Sequence, residues 1–273
     1  MNRYFRAKII DNLPLNTKTS LLTIAPLEPA INPEPGQFYM IEVGNSYDPL
    51  LKRPFSYFRK ISEGIQFLYT VKGKGTALMK DFKQESVINV LGPLGIGYPG
   101  PPKGYIPLLI AGGIGIASIF SLAEVLAKKA YVLYGAKSKN ELLMLNELKS
   151  LGNELIISTD DGSIEAKGTV TDVLNVFLTS HFSLLTSCLL YACGPKPMLK
   201  AVSKIAIDND IRGYISLEEN MACGVGACLG CAVRVRSQKS EARSQRLKDF
   251  NSSLIYKRVC KEGPIFPIED IVW

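Results

Sequence analysis

The first hundred residues alternate short apolar and β-branched runs with turn-forming residues. The runs are YFRAKII, TSLLTIA, QFYMIEV, GIQFLYTV and SVINVLG, and prolines and glycines separate them. Short strands with this punctuation are typical of small antiparallel barrels and sandwiches. We therefore predict an N-terminal antiparallel β-barrel domain over residues 1–100.

After residue 100 the pattern changes to strands that alternate with helices. The apolar run in GYIPLLIAGG leads through a glycine turn into a helix, and the strands YVLYGA, ELIIST and CLLYACG follow, with helices near 138–151 and 169–178 between them. Alternation of this kind predicts a parallel sheet with helices on both faces. We predict a Rossmann-like α/β nucleotide-binding domain over residues 101–215.

The last part of the chain has a third texture. Glycines stand between closely spaced cysteines, and the polar run RSQKSEARSQRLKDFNSS follows, which is typical of an exposed loop or hairpin tip. We predict a small C-terminal domain over residues 216–273. A length of 273 residues is enough for two domains and such an appendage.

Composition excludes several classes of protein. The longest apolar runs are broken by Gly and Pro before they reach membrane-spanning length, and MNRYFRAKII lacks the apolar core of a secretory signal, so we expect a cytoplasmic protein that does not bind a membrane. The net charge is +7, but Lys and Arg are spread along the chain without interleaved aromatic residues. We therefore expect no nucleic-acid binding, and a basic surface that favours anionic cofactors.

The cysteines carry the strongest chemical signal. Six cysteines in a cytoplasmic chain favour metal binding or redox chemistry over disulfides, and four of them follow the pattern C-x4-C-x2-C with a distant fourth member: Cys223, Cys228, Cys231 and Cys260. This is the plant-type [2Fe-2S] spacing, and the small residues between the cysteines leave room for a loop that wraps a cluster. A zinc site with four cysteine ligands stays open as the alternative, although zinc sites usually contain two C-x2-C pairs and this chain has one.

Two motifs in the predicted barrel suit a flavin nucleotide. In RPFSYF, Arg53 offers a planar fork for a diphosphate, and Ser56 offers a small polar group for the edge of a flavin ring. In LYTVKGKGTALM, the turn from Gly73 to Thr76 allows backbone N–H groups to approach phosphate. Each motif is weak by itself.

Two further motifs predict a dinucleotide site. IAGGIGIAS follows a strand and opens a helix, as a dinucleotide-binding turn does, but Ser118 stands where the third glycine of the usual motif would be. The candidate residues of this turn are Gly112, Gly113 and Gly115. YACGPKPM repeats the arrangement and places Cys193 and Gly194 at the carboxyl edge of the sheet. Two tight strand-to-helix turns without a ligand would explain the same residues.

Taken in order, six motifs resemble the electron-transfer subunit of class 1B dihydroorotate dehydrogenase, within the ferredoxin reductase superfamily. They are RPFS, GKGT, AGGIGIAS, CGPKPML, EENMACGVGACLGC and VCKEGPIF. The last two are specific, whereas the first four occur across the superfamily. The resemblance covers nearly the whole chain.

The resemblance implies an NAD-dependent oxidoreductase subunit with FAD and a [2Fe-2S] cluster. Electrons would pass from the FMN of a catalytic partner subunit, which oxidises dihydroorotate in pyrimidine biosynthesis, through the cluster and FAD to NAD+. A heterotetramer with two copies of each subunit is implied. No catalytic acid or base is expected on this chain. The family's cluster ligands fall on the four cysteines of the motif, and its FAD contacts fall on Arg53, Pro54, Phe55, Ser56, Leu68, Tyr69, Thr70, Gly75 and Thr76.

Two alternatives remain beside this interpretation. An NAD(P)H-ferredoxin oxidoreductase or a sulfide-dehydrogenase-type subunit would share the fold and cofactors but serve another partner. A zinc-stabilised nucleotide-binding module without redox activity belongs to a different class. The chain also departs from the family, because the stretch 237–253 is longer than expected.

Overall fold

The computed structural model of the chain describes residues 3–44, 47–181, 187–237 and 254–273. Most of the predicted polar loop, residues 238–253, lies outside them. The described residues form two seven-stranded sheets and one two-stranded sheet.

The first sheet is the predicted antiparallel barrel. Its strand order is β4-β3-β7-β1-β2-β6-β5, and every pairing is antiparallel. Alternate residues of the first strand, Phe5, Ala7 and Ile9, point into its core beside Tyr39 and Phe67. The strands are β1 (Tyr4–Pro14), β2 (Thr19–Pro26), β3 (Phe38–Ile41), β4 (Arg53–Ser56), β5 (Arg59–Ile61), β6 (Gly64–Thr70) and β7 (Val87–Leu94), and helix α1 (Lys74–Met79) follows β6.

The central part is the predicted alternation of strands and helices. It contains β8 (Ile106–Gly112), α2 (Ile116–Val125), β9 (Tyr131–Ala136), α3 (Leu145–Ser150), β10 (Glu154–Thr159), β11 (Ala166–Lys167), α4 (Val170–Ser180), β12 (Cys188–Cys193), α5 (Lys196–Asp208) and β13 (Gly213–Ser216). Helix α4 begins where a capping box places it, because the Thr169 side chain accepts the Asp172 N–H and the Asp172 carboxylate accepts the Thr169 N–H.

One predicted helix is shorter than expected. Instead of a continuous helix near 138–151, the chain forms a 3-10 turn at Lys139–Glu141 and then α3. Between them Leu142 is extended and Met144 has a left-handed backbone with φ +55°. Neither conformation continues a helix, so the segment splits in two.

The C-terminal part contributes to two sheets. Strands β14 (Ala232–Arg236) and β15 (Leu254–Arg258) form an antiparallel pair, and β16 (Ile265–Pro267) returns to pair with β13. The central sheet therefore has the order β11-β10-β9-β8-β12-β13-β16, with parallel pairing except at the β13–β16 edge.

The three parts share one hydrophobic core. A single buried cluster contains Phe38 and Met40 of the barrel, Ile110 of the central sheet, and Cys231 and Cys260 of the C-terminal part. Because this core crosses every predicted boundary, packing holds the three parts in one arrangement. The bounds 1–100, 101–215 and 216–273 stay a prediction.

Among the described residues, no helix has both the length and the apolar character needed to cross a membrane.

Candidate functional site

A cleft lies where the three parts of the chain meet. It encloses about 970 Å³ of space, which includes its solvent-open mouth. Of the nine residues expected to contact FAD, eight line this cleft, and the ninth, Gly75, lies beside the lining residue Arg53. The lining residues are Phe38, Arg53, Pro54, Phe55, Ser56, Leu68, Tyr69, Thr70, Lys72, Thr76, Ile114, Ala117, Ser216, Leu217, Glu218, Glu219, Met221 and Pro264.

Arg53 supplies a cation at the barrel wall of the cleft. Its backbone pairs with Ile41 of β3, and its Nη1 donates to the Leu51 carbonyl at 2.6 Å. A Cβ atom on Gly75 would lie 3.1 Å from Arg53 Nε, so glycine lets the turn approach the guanidinium closely. The guanidinium is thus held beside the turn that the sequence assigned to phosphate.

Thr76 shapes that turn. Its hydroxyl accepts the N–H groups of Lys72 at 2.9 Å and Gly73 at 3.2 Å. Those two donors are therefore used within the turn, although the sequence suggested that the backbone of Gly73 would face phosphate. Lys72 itself lines the cleft, as Arg53 does, and so adds a second cation to the site.

Aromatic side chains make the deeper barrel wall rigid. Phe55 and Tyr69 pack edge to face with ring centroids 6.0 Å apart. The Tyr69 hydroxyl donates to Asn12 Oδ1 at 3.1 Å, and the Asn12 amide donates to the Met79 carbonyl at 2.7 Å. An apolar wall with fixed polar ends suits a planar ring system.

The opposite wall was not predicted from the sequence. Ile114 and Ala117 come from the nucleotide turn and α2, and the stretch from Ser216 to Glu219 begins at the last residue of β13. Lys196, at the start of α5, forms an ion pair with Glu219 at 3.1 Å. Cations at one wall and apolar surface between the walls together fit FAD, with its charged diphosphate and flat apolar ring.

The predicted dinucleotide turns lie at the switch point of the central sheet. Strand β8 has β9 on one side and β12 on the other, and Gly112 and Cys193 end β8 and β12 at the carboxyl edge. Ligands of doubly wound sheets bind at this edge. The structure thus brings together the residues that the two glycine motifs assigned to it.

The two turns contain four candidate glycines, and close packing explains why three of them have no side chain. A Cβ on Gly115 would lie 2.3 Å from the Cys193 carbonyl oxygen. A Cβ on Gly112 would lie 2.3 Å from Met198 Sδ, and a Cβ on Gly194 would lie 2.6 Å from Met198 Cε. Gly113 differs, because its φ is +51° and a Cβ there would meet nothing within 4 Å. Gly113 is therefore the glycine whose surroundings leave room for a ligand.

Cys193 lies beneath the cleft surface. It is 1% exposed, and burial raises the pKa of its thiol to about 12, with a further contribution from the charge of Glu218. The thiol therefore stays neutral near neutral pH.

The four cysteines of the motif form two pairs. The Cys228 N–H donates to Cys223 Sγ at 3.5 Å, and the Cys260 N–H donates to Cys231 Sγ at 3.4 Å. The side chains of Cys223 and Cys228 are also within hydrogen-bonding reach of each other, as are those of Cys231 and Cys260. Two pairs of thiolates fit a cluster with two irons.

The loop between the first two cysteines has the backbone that the sequence predicted. Gly224 and Gly226 have φ values of +71° and +83°, and Leu229 also has a left-handed φ of +60°, which the sequence did not indicate. Arg258 holds the loop from outside, because its Nη1 donates to the Gly226 carbonyl at 2.8 Å while its guanidinium pairs with Glu262. The loop therefore has a fixed shape.

Backbone donors favour the charged form of the first cysteine. Burial raises the pKa of Cys223, but N–H groups of Cys228, Val225 and Ala227 outweigh it and lower that pKa to about 6. N–H groups that point at sulfur also tune iron-sulfur clusters. In the described part of the chain, no three His, Cys, Asp or Glu side chains converge as a single-ion site.

The cleft and the cysteine loop are neighbours in space and in sequence. Met221 lines the cleft, and Cys223 follows two residues later. Two residues of extended chain span at most about 7 Å. A group in the cleft and a group held by the cysteines would therefore be close.

We expect Gly224→Ala to destabilise the loop. A Cβ there would lie 2.6 Å from Met40 Cγ, and φ is left-handed, which costs about 1–3 kcal/mol for other residues. The apparent Tm should fall by roughly 2–4 °C per kcal/mol, as measured by thermal unfolding. Gly230→Ala is the matched control, since its nearest contact would be an ordinary 3.6 Å from Cys228 Sγ. Equal Tm values for the two variants would contradict this account.

Two family models match the chain. Residues 218–272 match the iron-sulfur cluster binding domain of dihydroorotate dehydrogenase B, and residues 109–204 match the oxidoreductase NAD-binding domain. The first contains all four cysteines of the motif, and the second contains both glycine turns.

Among solved structures, an NADH-dependent reduced ferredoxin-NADP oxidoreductase has a TM-score of 0.79 and 26% identity, with 98% of this chain and 90% of the other covered. This likeness confirms the predicted ferredoxin-reductase-like fold.

Curated relatives are similar over most or all of their length. The dihydroorotate dehydrogenase B (NAD+) electron transfer subunit of Desulforamulus reducens is 34% identical, with both chains covered completely. That of Caldanaerobacter subterraneus subsp. tengcongensis is 38% identical over 88% of each chain. The chain therefore belongs to the family of dihydroorotate dehydrogenase B electron transfer subunits.

Proposed function

We propose that this chain is the subunit that carries electrons from a dihydroorotate-oxidising partner to NAD+ in pyrimidine biosynthesis. The partner holds FMN, and two copies of each subunit form the complex. The observation that carries this proposal is the single cleft whose walls come from the barrel, the nucleotide turn and the segment that leads to Cys223. A group bound there would touch the parts that handle NAD and the cluster.

The chemistry supplied by FAD, once bound, is the conversion between single electrons and a hydride pair. The chain's own residues hold and orient it. Arg53 and Lys72 would hold the diphosphate, Phe55 and Tyr69 would form a rigid wall for the ring, and Ser56 would offer it a hydroxyl. The four cysteines of the motif hold the [2Fe-2S] cluster, and the turn at Gly113 receives NAD.

The exposure of the cysteine loop supports the proposal that a partner protein binds there and donates electrons. Cys228 is exposed, and the side chains of Val225 and Leu229 are 49% and 63% exposed. Apolar side chains beside a redox site are typical of surfaces that bind another protein. Arg234 and Arg236, both exposed on β14, favour an acidic partner surface.

The proposal predicts a division of activity between two subunits. The isolated chain, loaded with FAD and cluster, should oxidise NADH with an artificial acceptor such as ferricyanide but should not oxidise dihydroorotate. Addition of the FMN-containing subunit should produce NADH from dihydroorotate and NAD+, followed by absorbance at 340 nm. FAD, FMN, iron and acid-labile sulfide are quantified in the same samples.

Dihydroorotate oxidation by the isolated chain would contradict this assignment. A complex that forms but never reduces NAD+ would contradict the route to NAD+. A colourless chain, without flavin or cluster absorption after anaerobic purification, would favour the zinc-stabilised nucleotide-binding module instead. The cytoplasmic location also stays a prediction, to be tested by fractionation.

A second candidate function rests on the structural likeness at a TM-score of 0.79. That neighbour is described as an NADH-dependent reduced ferredoxin-NADP oxidoreductase, so a subunit that serves a ferredoxin would share this fold. Ferredoxin reduction by the chain with NADH, without any gain from the FMN-containing subunit, would favour this function.

A further inference from the structure

Four buried polar side chains meet beneath the cleft. The Tyr98 hydroxyl lies 3.1 Å from Ser118 Oγ and is also within hydrogen-bonding reach of Ser216. The Cys193 thiol is within reach of both serine hydroxyls. All four residues are at most 9% exposed. We call Tyr98, Ser118, Cys193 and Ser216 the hydroxyl network.

Each member comes from a different element. Tyr98 follows the last barrel strand, Ser118 lies in the first turn of α2, and Cys193 and Ser216 end β12 and β13. Ser216 also lines the cleft. The hydroxyl network therefore connects the barrel, the nucleotide turn and the cleft wall at one point.

The network is neutral and mutually satisfied. Burial raises the pKa of Tyr98 well above its ordinary value, and that of Cys193 to about 12, so both keep their protons near neutral pH. Buried polar groups that satisfy one another favour a unique arrangement of the elements that carry them. The Tyr98 ring is fixed as well, since it packs edge to face on Tyr191 at 5.7 Å.

Ser118 stands where a dinucleotide motif usually has its third glycine. A glycine there would serve helix packing but could not bond to Tyr98. Its neighbour Ala117, like Ile114 of the turn, lines the cleft. The serine therefore ties the start of α2 to the barrel directly under the place where the two cofactor sites adjoin.

We propose that Ser118 and Tyr98 are positioning residues that hold the nucleotide turn against the flavin cleft for hydride exchange, an inference that rests on the proposed function. Hydride transfer needs its reacting atoms within about 3–3.5 Å, and a misplacement of about 1 Å costs about 100-fold in rate. Loss of one network hydrogen bond, with the ring and helix retained, should shift the turn by less than this. We expect a fall of about 10-fold in the hydride step.

The test uses the full chain loaded with FAD and cluster, as Tyr98→Phe, Ser118→Ala and the double variant. Stopped-flow absorbance follows flavin reduction by NADH and by NADH deuterated at C4. We expect each single variant to slow the step about 10-fold with the isotope effect retained, and the double variant to be slowed by much less than the product of the two single effects, because the Tyr98–Ser118 hydrogen bond is lost in all three. The visible circular dichroism of the oxidised flavin should change, while the Kd for NAD+ stays within about threefold.

Ser203→Ala is the matched control. Ser203 is a buried serine of α5 whose hydroxyl donates to the Leu199 carbonyl at 2.7 Å and which is not a member of the network. It should lose similar stability and keep the hydride rate. Wild-type rates in the network variants, or losses that match those of Ser203→Ala, would overturn the positioning role alone. If NADH cannot reduce the flavin bound to the wild-type chain, the proposed function is overturned, and this inference with it.

Discussion

Replacement of Cys228 by alanine should remove the cluster and stop electron flow from dihydroorotate to NAD+. Cys228 is exposed, so the change leaves no cavity in the core. Mutation of a residue that only supports a metal ligand already lowers metal affinity or activity by about 10–100-fold. Loss of a ligand itself should therefore lower turnover of the complex by at least about 100-fold. The measurements are iron and acid-labile sulfide per chain, and NADH formation at 340 nm.

The same variant should keep its flavin activity. NADH oxidation with ferricyanide needs the cleft and the nucleotide turn but not the cysteine loop. Cys188→Ala is the control with the same chemical change, because Cys188 is buried at the start of β12 and lies outside the motif. A Cys228→Ala chain with a full complement of iron would rule out this cysteine as a ligand.

Replacement of Arg53 by alanine should release FAD. Hydrogen bonds to charged groups contribute about 1.5–3 kcal/mol, so loss of the guanidinium should raise the Kd for FAD by about 10- to 150-fold. The flavin-to-protein ratio after gel filtration and a fluorescence titration with FAD measure this directly. Added FAD should restore NADH oxidation at concentrations that match the weaker Kd.

Arg6→Ala provides the matched control for charge. Arg6 is exposed on β1, where it pairs with Glu28 at 3.6 Å, and it does not line the cleft. This variant should bind FAD as the parent chain does. An Arg53→Ala chain that retains stoichiometric FAD through gel filtration would show that the cation does not hold the diphosphate.

Periodicity predicted most of the sheet architecture, and its failures have physical causes. Strands β4 and β5 have four and three residues, and Arg53 and Pro54 in β4 resemble a turn more than a strand. Strand β16 has three residues and pairs with β13, some fifty positions earlier in the chain. Local pattern carries no information on such distant pairing, which depends on tertiary packing.

The candidate site likewise has one part that local sequence predicted and another that depends on tertiary packing. Residues in short motifs, such as the four cysteines and Arg53, could be named as candidates from spacing and chemistry, and their roles stay predictions. The cleft wall formed by Ser216, Leu217 and Glu218 was missed, because these residues become a wall only when β13 lies beside the barrel. The hydroxyl network was missed for the same reason, since Tyr98 and Ser118 look like ordinary loop and helix residues until the fold joins them.

The pairing of β13 with β16 confines the iron-sulfur segment at both ends. The segment leaves the sheet after Ser216 and re-enters it at Ile265, and the Leu217 N–H donates to the Pro264 carbonyl at 2.9 Å, which closes its base. A carrier that swings between donor and acceptor needs free tethers at its ends, and both ends of this segment are held in the sheet. Electron delivery to the flavin therefore need not await the diffusion of a mobile arm, and its rate should not depend on solvent viscosity.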